Sequence, residues 1–588
     1  MNHTTASGAR HDALALLGDE AVALAALHAG ISAAYGYPGT PSTEILERII
    51  AECEKGGEEG ADARNRPRAA WCANEKTALE AALGTSFAGR RVIVTMKHVG
   101  LNVAADPFIN GALLGIGGGL VIAAADDPGM HSSQNEQDSR FYAAFAMIPC
   151  LEPRGQQEAY DMTREAFDVS ERFHVPVMLR LATRLSHARS AVIPSPPRGG
   201  NALSKSGDKT RWMLLPVYAR KNYAALVEKQ KDIEAWSAAH PANKTEGHGG
   251  EEAGTGAHDL AVITSGLGGN YYDENLPDFA ALRGGAPPRL HIGVYPLPSE
   301  KIRGFCKGRK RVLVIEEGQP FLEERLRGIL PHGVTVEGRL DGGAVPRTGE
   351  LDPDNIRAAL GLLPRPAMAE KISGLPNLPG RPPQLCQGCP HADSYETIKK
   401  ALAALDGAGR LSAVTSDIGC YSLGALPPYS VPESIVCMGA SIGMARGAAE
   451  AGLPYSVAVI GDSTFIHSGI PGLLDAANAG VPMTAVILDN STVAMTGCQE
   501  TAVPRAGLRD LVLALGVHPG HLLELEAKRQ LIDENAARLK AEIEYRGLSV
   551  VIFKRECLEA ARRRKKAGRK TGEAPEERPC ERAEKTLQ

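Results

Sequence analysis

Two short polar steps, Gly461-Asp462-Ser463 and Asp489-Asn490-Ser491, each close an apolar run, with Asp462 and Asn490 28 positions apart. The segment between them, TFIHSGIPGLLDAANAGVPMTAVIL, reads as a turn, a helix and a strand. Both steps then fall at the carboxyl edge of a parallel sheet, where open α/β sheets bind ligands. The Asp462 carboxylate, the Asn490 amide oxygen and the backbone carbonyl of Thr492 are the hard oxygen donors that Mg²⁺ takes when it also holds a diphosphate. Either step alone reads first as a βα turn that uses Asp or Asn for backbone hydrogen bonds. The pair at this spacing favours a cofactor.

At 588 residues the chain is too long for one core, and the usual domain size suggests roughly three to four domains. A hydrophobic share of 43% and a charged share of 23% are those of a soluble globular protein. The net charge of −4 gives no electrostatic footprint for nucleic acid, and ARRRKKAGRK (561–570) reads as a solvated or disordered end. The most apolar stretch, GALLGIGGGLVIAAA (111–125), is shorter than a bilayer span and reads as a buried strand after a Gly-rich turn. Its glycines precede a strand, whereas a dinucleotide fingerprint follows one, so a Rossmann site is rejected. No basic region followed by an apolar core opens the chain, so no export signal is read. With eleven cysteines, this points to a reducing, cytoplasmic setting and to metal or redox use of some thiols.

Along the chain the pattern is α/β, in three doubly wound units. Residues 12–190 alternate apolar strands with Ala-rich helical stretches. Residues 191–257 are rich in Pro, Gly, Lys and Glu and read as a linker with one helix around Tyr223 to Ala239. Strands resume in a smaller unit, 258–345, followed by a Pro-dense linker, 346–383. A third unit spans 384–556, and 557–588 is the basic tail.

Several residues carry chemistry or a plainer role. In MGASIGMARGAAEAG, Gly439, Gly443 and Gly447 leave one helix face bare, which suits a phosphate at the helix start or close helix packing. In AAYGYPGTPSTEI a strand and turn lead to a helix with Thr40 as N-cap and Pro41 at its first position. In WCANEKTALEAALG, Glu75 opens a helix capped by Asn74 and by composition reads as a solvated Glu. Cys386-Gln-Gly-Cys389 reads as a zinc half-site, two buried thiols or part of an iron–sulfur ligand set.

Ten segments in order, GYPGTPSTEI, NEKTALEAALG, MKHVGLNVAADP, DDPGMHSSQNEQDSR, TRLSH, CQGCPH, SDIGCYSLG, MGASIGMA, IGDSTFIHSGI and LDNSTVAMTG, resemble the alpha subunit of indolepyruvate:ferredoxin oxidoreductases. They run from residue 36 to 497. The resemblance implies a thiamine diphosphate-binding fold: 12–190 for the pyrimidine ring, 384–556 for Mg²⁺-diphosphate, and 258–345 as a transketolase C-terminal-like domain. It assigns Gly439, Ser441, Gly461, Asp462, Ser463, Asn490 and Thr492 to the cofactor, with Asp462, Asn490 and Thr492 on Mg²⁺. Glu75 matches the acid that exchanges a proton with the aminopyrimidine, a task that shielding from water favours. Thr40 matches a substrate-side position.

The resemblance also implies that Cys386, Cys389, Cys420 and Cys557 hold one 4Fe-4S cluster. Cys53, Cys72, Cys150, Cys306 and Cys437 read as small buried residues, and Cys580 as part of the tail. Two departures stand out. Family members usually carry a ferredoxin-like extension that does not follow residue 557 here, so a partner is expected to carry further clusters. Cys498 occupies a position where the family usually has His. The implied activity is oxidative decarboxylation of an aryl 2-oxo acid with coenzyme A, giving acyl-CoA, CO₂ and a reduced carrier. A smaller beta subunit and a ferredoxin or other Fe–S carrier are the implied partners, with no nucleic acid and no membrane span. A non-oxidative decarboxylase and a non-catalytic cofactor-binding subunit are the rival readings.

Overall fold

A computed structural model describes residues 13–55, 67–246, 260–283, 287–340, 343–365, 383–407, 409, 411–503 and 507–571. Residues 366–382 of the linker expected at 346–383, the end of the linker expected at 191–257, and Cys580 lie outside these residues. The chain divides into two compact units, Met1–Pro376 and Asn377–Gln588.

The first unit holds two main sheets, besides an antiparallel pair formed by Leu14–Leu17 and Arg189–Val192. One has seven strands in the order Val294–Tyr295, Cys150–Leu151, Val177–Ala182, Leu120–Asp126, Val92–Lys97, Ala33–Gly36, Arg68–Trp71. All neighbours run parallel except the Val294–Tyr295 edge. Val92–Lys97, Leu120–Asp126 and Val177–Ala182 are buried throughout, as parallel strands covered on both faces must be. The other sheet has the order Thr335–Glu337, Arg311–Ile315, Leu260–Ser265, Arg289–Ile292, Thr245–Glu246. The helix expected from Tyr223 begins earlier, spanning Pro216–Ala239 with Pro at its first position.

Sequence pattern separates these two sheets into two units, whereas packing joins them. The chain leaves the second sheet at Ile292 and enters the first at Val294. Between the sheets lies a buried ionic network. Arg140 donates to Asp138 (2.9 Å), Ser265 and Tyr295 (both 3.2 Å) and lies 3.0 Å from Glu316. Arg180 donates to Asp126 (2.7 Å), to Glu152 and to the Glu317 carbonyl (3.0 Å). Burial pushes the Glu316 and Glu317 carboxyls up to about 7. Buried charges persist only when each finds a partner, and here the partners come from both sheets.

The second unit is one six-stranded parallel sheet, ordered Ser434–Ile435, Ser412–Ser416, Tyr455–Gly461, Met483–Asp489, Ser549–Lys554, Leu522–Glu526. The basic stretch read as a solvated or disordered end is exposed at residues 562–566 but ordered, as a helix, Leu558–Thr571. Its Ala, Arg, Lys and Glu are strong helix formers, Arg563 donates to the Gly497 carbonyl (2.6 Å), and Arg564 pairs with Glu556. Among the described residues no helix is long and apolar enough to cross a membrane.

Candidate functional site

In the second unit Tyr455–Gly461 and Met483–Asp489 are adjacent parallel strands in register, Gly461 beside Leu488. Asp462 and Asn490 therefore leave neighbouring strands at one sheet edge. Gly461 is required there: a Cβ would stand 2.5 Å from the Tyr421 ring. Asp462 is 2% exposed, and its Oδ2 is buried without a hydrogen-bond partner. Burial, and then the nearby Asp489 carboxylate, raise its carboxyl well above the usual range. An orphaned buried carboxylate of this kind fits a cation.

Asn490 is oriented from two sides. Its Nδ2 donates to His391 Nε2 (3.1 Å), and its Oδ1 accepts from the Thr492 N–H (3.2 Å). Burial lowers His391 to about 4, which leaves a neutral acceptor at neutral pH. Thr492 in turn donates its hydroxyl to the Gln499 carbonyl (2.9 Å), and Ser463 donates to Thr501 (2.7 Å).

The helix Ala440–Glu450 departs from expectation. Its start faces Asp417, which follows the strand Ser412–Ser416. The Ser441 N–H donates to Asp417 (3.1 Å), as does the Ser441 hydroxyl, and the amides of Ala440 and Gly439 also bond this carboxylate. The donors assigned to a phosphate through Gly439 and Ser441 are thus engaged by a side chain. Burial still pushes Asp417 up to about 6. Gly439 is needed for its own reasons, a φ of +88° and Ser468 within 2.5 Å of where a Cβ would be. At Gly443 and Gly447 no atom lies within 4 Å of that position, so close helix packing does not explain them.

Cys386, Cys389, Cys420 and Cys557 line one cavity of about 150 Å³, together with Pro390, His391, Leu423 and Asn490. Burial pushes the Cys420 thiol up to about 12, with Cys389, Cys557 and Cys386 adding to it. Thiols held neutral by burial give up their protons when a metal takes them, and four around one cavity fit a cluster. Cys498 stands beside Cys557 with a φ of +67° and does not line the cavity. Of the remaining cysteines, Cys150 and Cys306 are buried and Cys53 and Cys72 half-buried, but Cys437 is exposed.

In the first unit Glu75 opens the helix Glu75–Phe87, with Asn74 accepting from the Thr77 N–H (2.9 Å) as its cap. The side chain is not solvated: Glu75 is 5% exposed and leans on bare backbone, so that a Cβ on Gly100 would lie 2.6 Å from its Oε1. Thr40 is not an N-cap. The helix begins at Thr43, after a turn closed by the Ser42 N–H on the Gly39 carbonyl (2.8 Å), and the Gly39 N–H bonds the Thr43 hydroxyl (3.0 Å). Beneath this turn lies Lys97, a residue that sequence reasoning passed over. Lys97 is buried, donates to the Ser132 carbonyl (2.7 Å), and is lowered to about 8 by burial. Ser132 donates to the Thr40 carbonyl (3.4 Å). The signal in the sequence was a cation ending an otherwise largely apolar strand.

Two separate stretches match known domain families. Residues 24–213 match the thiamine diphosphate-binding domain of pyruvate flavodoxin/ferredoxin oxidoreductases, and residues 417–550 match the C-terminal TPP-binding domain of thiamine pyrophosphate enzymes. The protein is thus a thiamine diphosphate-dependent enzyme of the 2-oxoacid oxidoreductase class. The indolepyruvate oxidoreductase subunit IorA of Methanothermobacter thermautotrophicus is 36% identical over 93% of this chain and 87% of its own. That of Archaeoglobus fulgidus is 37% identical, over 92% of this chain and 86% of its own. The chain belongs to this IorA family.

Proposed function

We propose that the protein oxidatively decarboxylates an aryl 2-oxo acid of the indolepyruvate kind, with coenzyme A as acyl acceptor, as the large subunit of a complex with a smaller one. The observation that carries this reading is the cavity formed by Cys386, Cys389, Cys420 and Cys557 beside Asn490, because an oxidative route needs an electron acceptor next to the cofactor. When bound, thiamine diphosphate supplies an electron sink for decarboxylation and a four-iron, four-sulfur cluster a one-electron acceptor.

The chain's own residues divide the remaining work. Asp462, Asn490 and the Thr492 carbonyl would hold Mg²⁺, with His391 fixing the orientation of the Asn490 amide. Gly461 makes room for the Tyr421 ring behind Asp462, and Ser463, bonded to Thr501, flanks the diphosphate site. Gly439 shapes the helix start, and Ser441 holds Asp417 in place rather than a phosphate oxygen. Glu75, shielded against Gly100, exchanges a proton with the aminopyrimidine at its carboxyl group. Lys97, below the Thr40 turn, offers a positive charge to the carboxylate of the 2-oxo acid, and Thr40 positions the substrate.

The test is an anaerobic assay with aryl and alkyl 2-oxo acids, with and without coenzyme A, using a one-electron dye as acceptor. Dye reduction that needs both an aryl 2-oxo acid and coenzyme A is expected. CO₂ release that ignores coenzyme A and leaves the dye oxidised would replace this reading with non-oxidative decarboxylation.

A further inference from the structure

Three helices of the first unit meet around a group of acidic and basic side chains that the cofactor chemistry does not use. Gly18 starts the helix Gly18–His28 hard against another segment, since a Cβ there would lie 2.2 Å from the Leu185 carbonyl oxygen. This contact brings Asp19, in the first turn, beside Ser186 and His187 at the end of the helix Thr183–His187. Glu44, in the first turn of the helix Thr43–Lys55, completes the group. One ligand atom from each of Asp19, Glu44 and His187 lies within 4.8 Å of the others.

Charge makes the group unusual. Asp19 is fully buried, which raises its carboxyl well above the usual range; Ser186 stands beside it, but neither Asp19 oxygen, nor Glu44 Oε2, nor Ser186 Oγ makes a hydrogen bond of good geometry. Among the described residues the cation in reach is His187, whose Nε2 lies 3.5 Å from Glu44 Oε1. A single imidazolium balances one carboxylate, not two, and an unpaired buried carboxylate is costly. A divalent ion with two carboxylates and a neutral imidazole is electrically neutral. Oxygen and imidazole ligands together suit Mn²⁺, Fe²⁺ or Zn²⁺. Such ligands sit about 2.0–2.2 Å from the ion and hence up to about 4.4 Å from one another, close to the spread observed. Glu44 and His187 are about a third exposed, with side chains 37% and 35% accessible, so an ion has a way in.

We propose that Asp19, Glu44 and His187 form a binding site for a divalent transition-metal ion of the Mn²⁺, Fe²⁺ or Zn²⁺ class. The ion ties the first turn of the helix Thr43–Lys55 to the other two helices and so steadies the Thr40 turn that precedes it. It is separate in sequence from the ion expected at Asp462.

Mn²⁺ is the suitable probe, because thiolates compete poorly for it. Full-length protein carrying Asp462→Asn, freed of metal with a chelator, is titrated with Mn²⁺ and the free ion followed by electron paramagnetic resonance. One bound Mn²⁺ is expected. Adding Asp19→Asn should weaken its binding at least tenfold, and His187→Ala should weaken it less. Melting temperatures give an independent readout. Asp19→Asn should melt no lower than its parent in chelator, and Mn²⁺ should raise the melting temperature of the parent alone. Equal Mn²⁺ binding with and without Asp19→Asn would overturn the proposal. So would a parent whose melting temperature neither Mn²⁺ nor Zn²⁺ moves, the behaviour of an Asp19 that simply keeps its proton.

Discussion

The backbone N–H of Cys557 donates to the carbonyl of Asn490 at 3.1 Å. On its other side the Asn490 amide donates to His391, two residues beyond Cys389, at the start of the helix Pro390–Ala403. One residue at the sheet edge is therefore bonded to a residue of the thiol cavity through its main chain, and to a second cavity wall through its side chain. The proposed metal ligand and the proposed electron acceptor share a support.

His391→Ala should loosen this arrangement without removing a ligand. Residues that orient a ligand usually contribute about 10–100-fold in metal affinity, so Mg²⁺-dependent cofactor binding should weaken by roughly tenfold or more while the iron content stays at the parent level. Calorimetry with thiamine diphosphate and Mg²⁺, beside an iron assay, reads both. Unchanged affinity would reduce His391 to a packing residue.

Asp462→Ala removes the one charged ligand of the proposed Mg²⁺ site. Cofactor binding should then lose its dependence on Mg²⁺ altogether. Retention of full Mg²⁺-dependent affinity by this variant would sink the assignment.

Lys97 sets a pH dependence. Its ammonium is lowered from the ordinary 10.5 to about 8 by burial, so the charge is present below about pH 8 and lost above it. Between about 8 and 10.5 the unfolded chain holds a proton that the folded chain has released, so Lys97 costs stability as the pH falls through that window. For the reaction the sign is opposite: KM for the 2-oxo acid should rise as the pH passes 8, with kcat changing less. Lys97→Gln should show a raised, pH-independent KM. A KM profile identical in both proteins would remove Lys97 from the substrate site.

Glu75→Gln keeps the size and burial of the side chain and removes its acid–base function. Cofactor binding should persist, and turnover should drop by roughly 10²-fold or more, the usual scale for such a group. Near-normal turnover would leave Glu75 as a helix-start residue only.

Apolar runs closed by Asp462 and Asn490 were legible because a buried parallel strand leaves little choice of residue, and a polar break marks its end. The Asn74 cap was legible for a similar local reason. Asp417 was missed because an Asp after a strand looks the same whether it binds solvent or the start of a distant helix. Arg140 and Arg180 were passed over because arginine is mostly a surface residue; Asp126, Asp138 and Glu152 reach them within their own sheet's layer, and the meeting of two sheets adds Glu316. Each of the three α/β units keeps a sheet of its own, but strand patterning carries no information about which sheets pack together, so the network that joins the first two was not legible. The helix Leu558–Thr571 was not foreseen because charge alone was weighed, not helix propensity or the docking of Arg563 on Gly497, although its basic residues 562–566 are exposed as a solvated end would be.

Iron is the most discriminating measurement. Cys386, Cys389, Cys420 and Cys557 face one cavity, whereas Cys498, though beside Cys557, is not part of its wall. Four thiolates are the ligands of one four-iron cluster, so anaerobically purified protein should be brown and hold about four irons per chain. Its colour should bleach when an aryl 2-oxo acid is added in the presence of thiamine diphosphate. Cys420→Ser should lose most of the iron and Cys498→Ser should keep it, which separates the cavity thiols from their neighbour. Zinc in place of iron, or colourless protein that still releases CO₂ from 2-oxo acids, would leave the electrons of an oxidative route with nowhere to go and would turn the assignment to a decarboxylase.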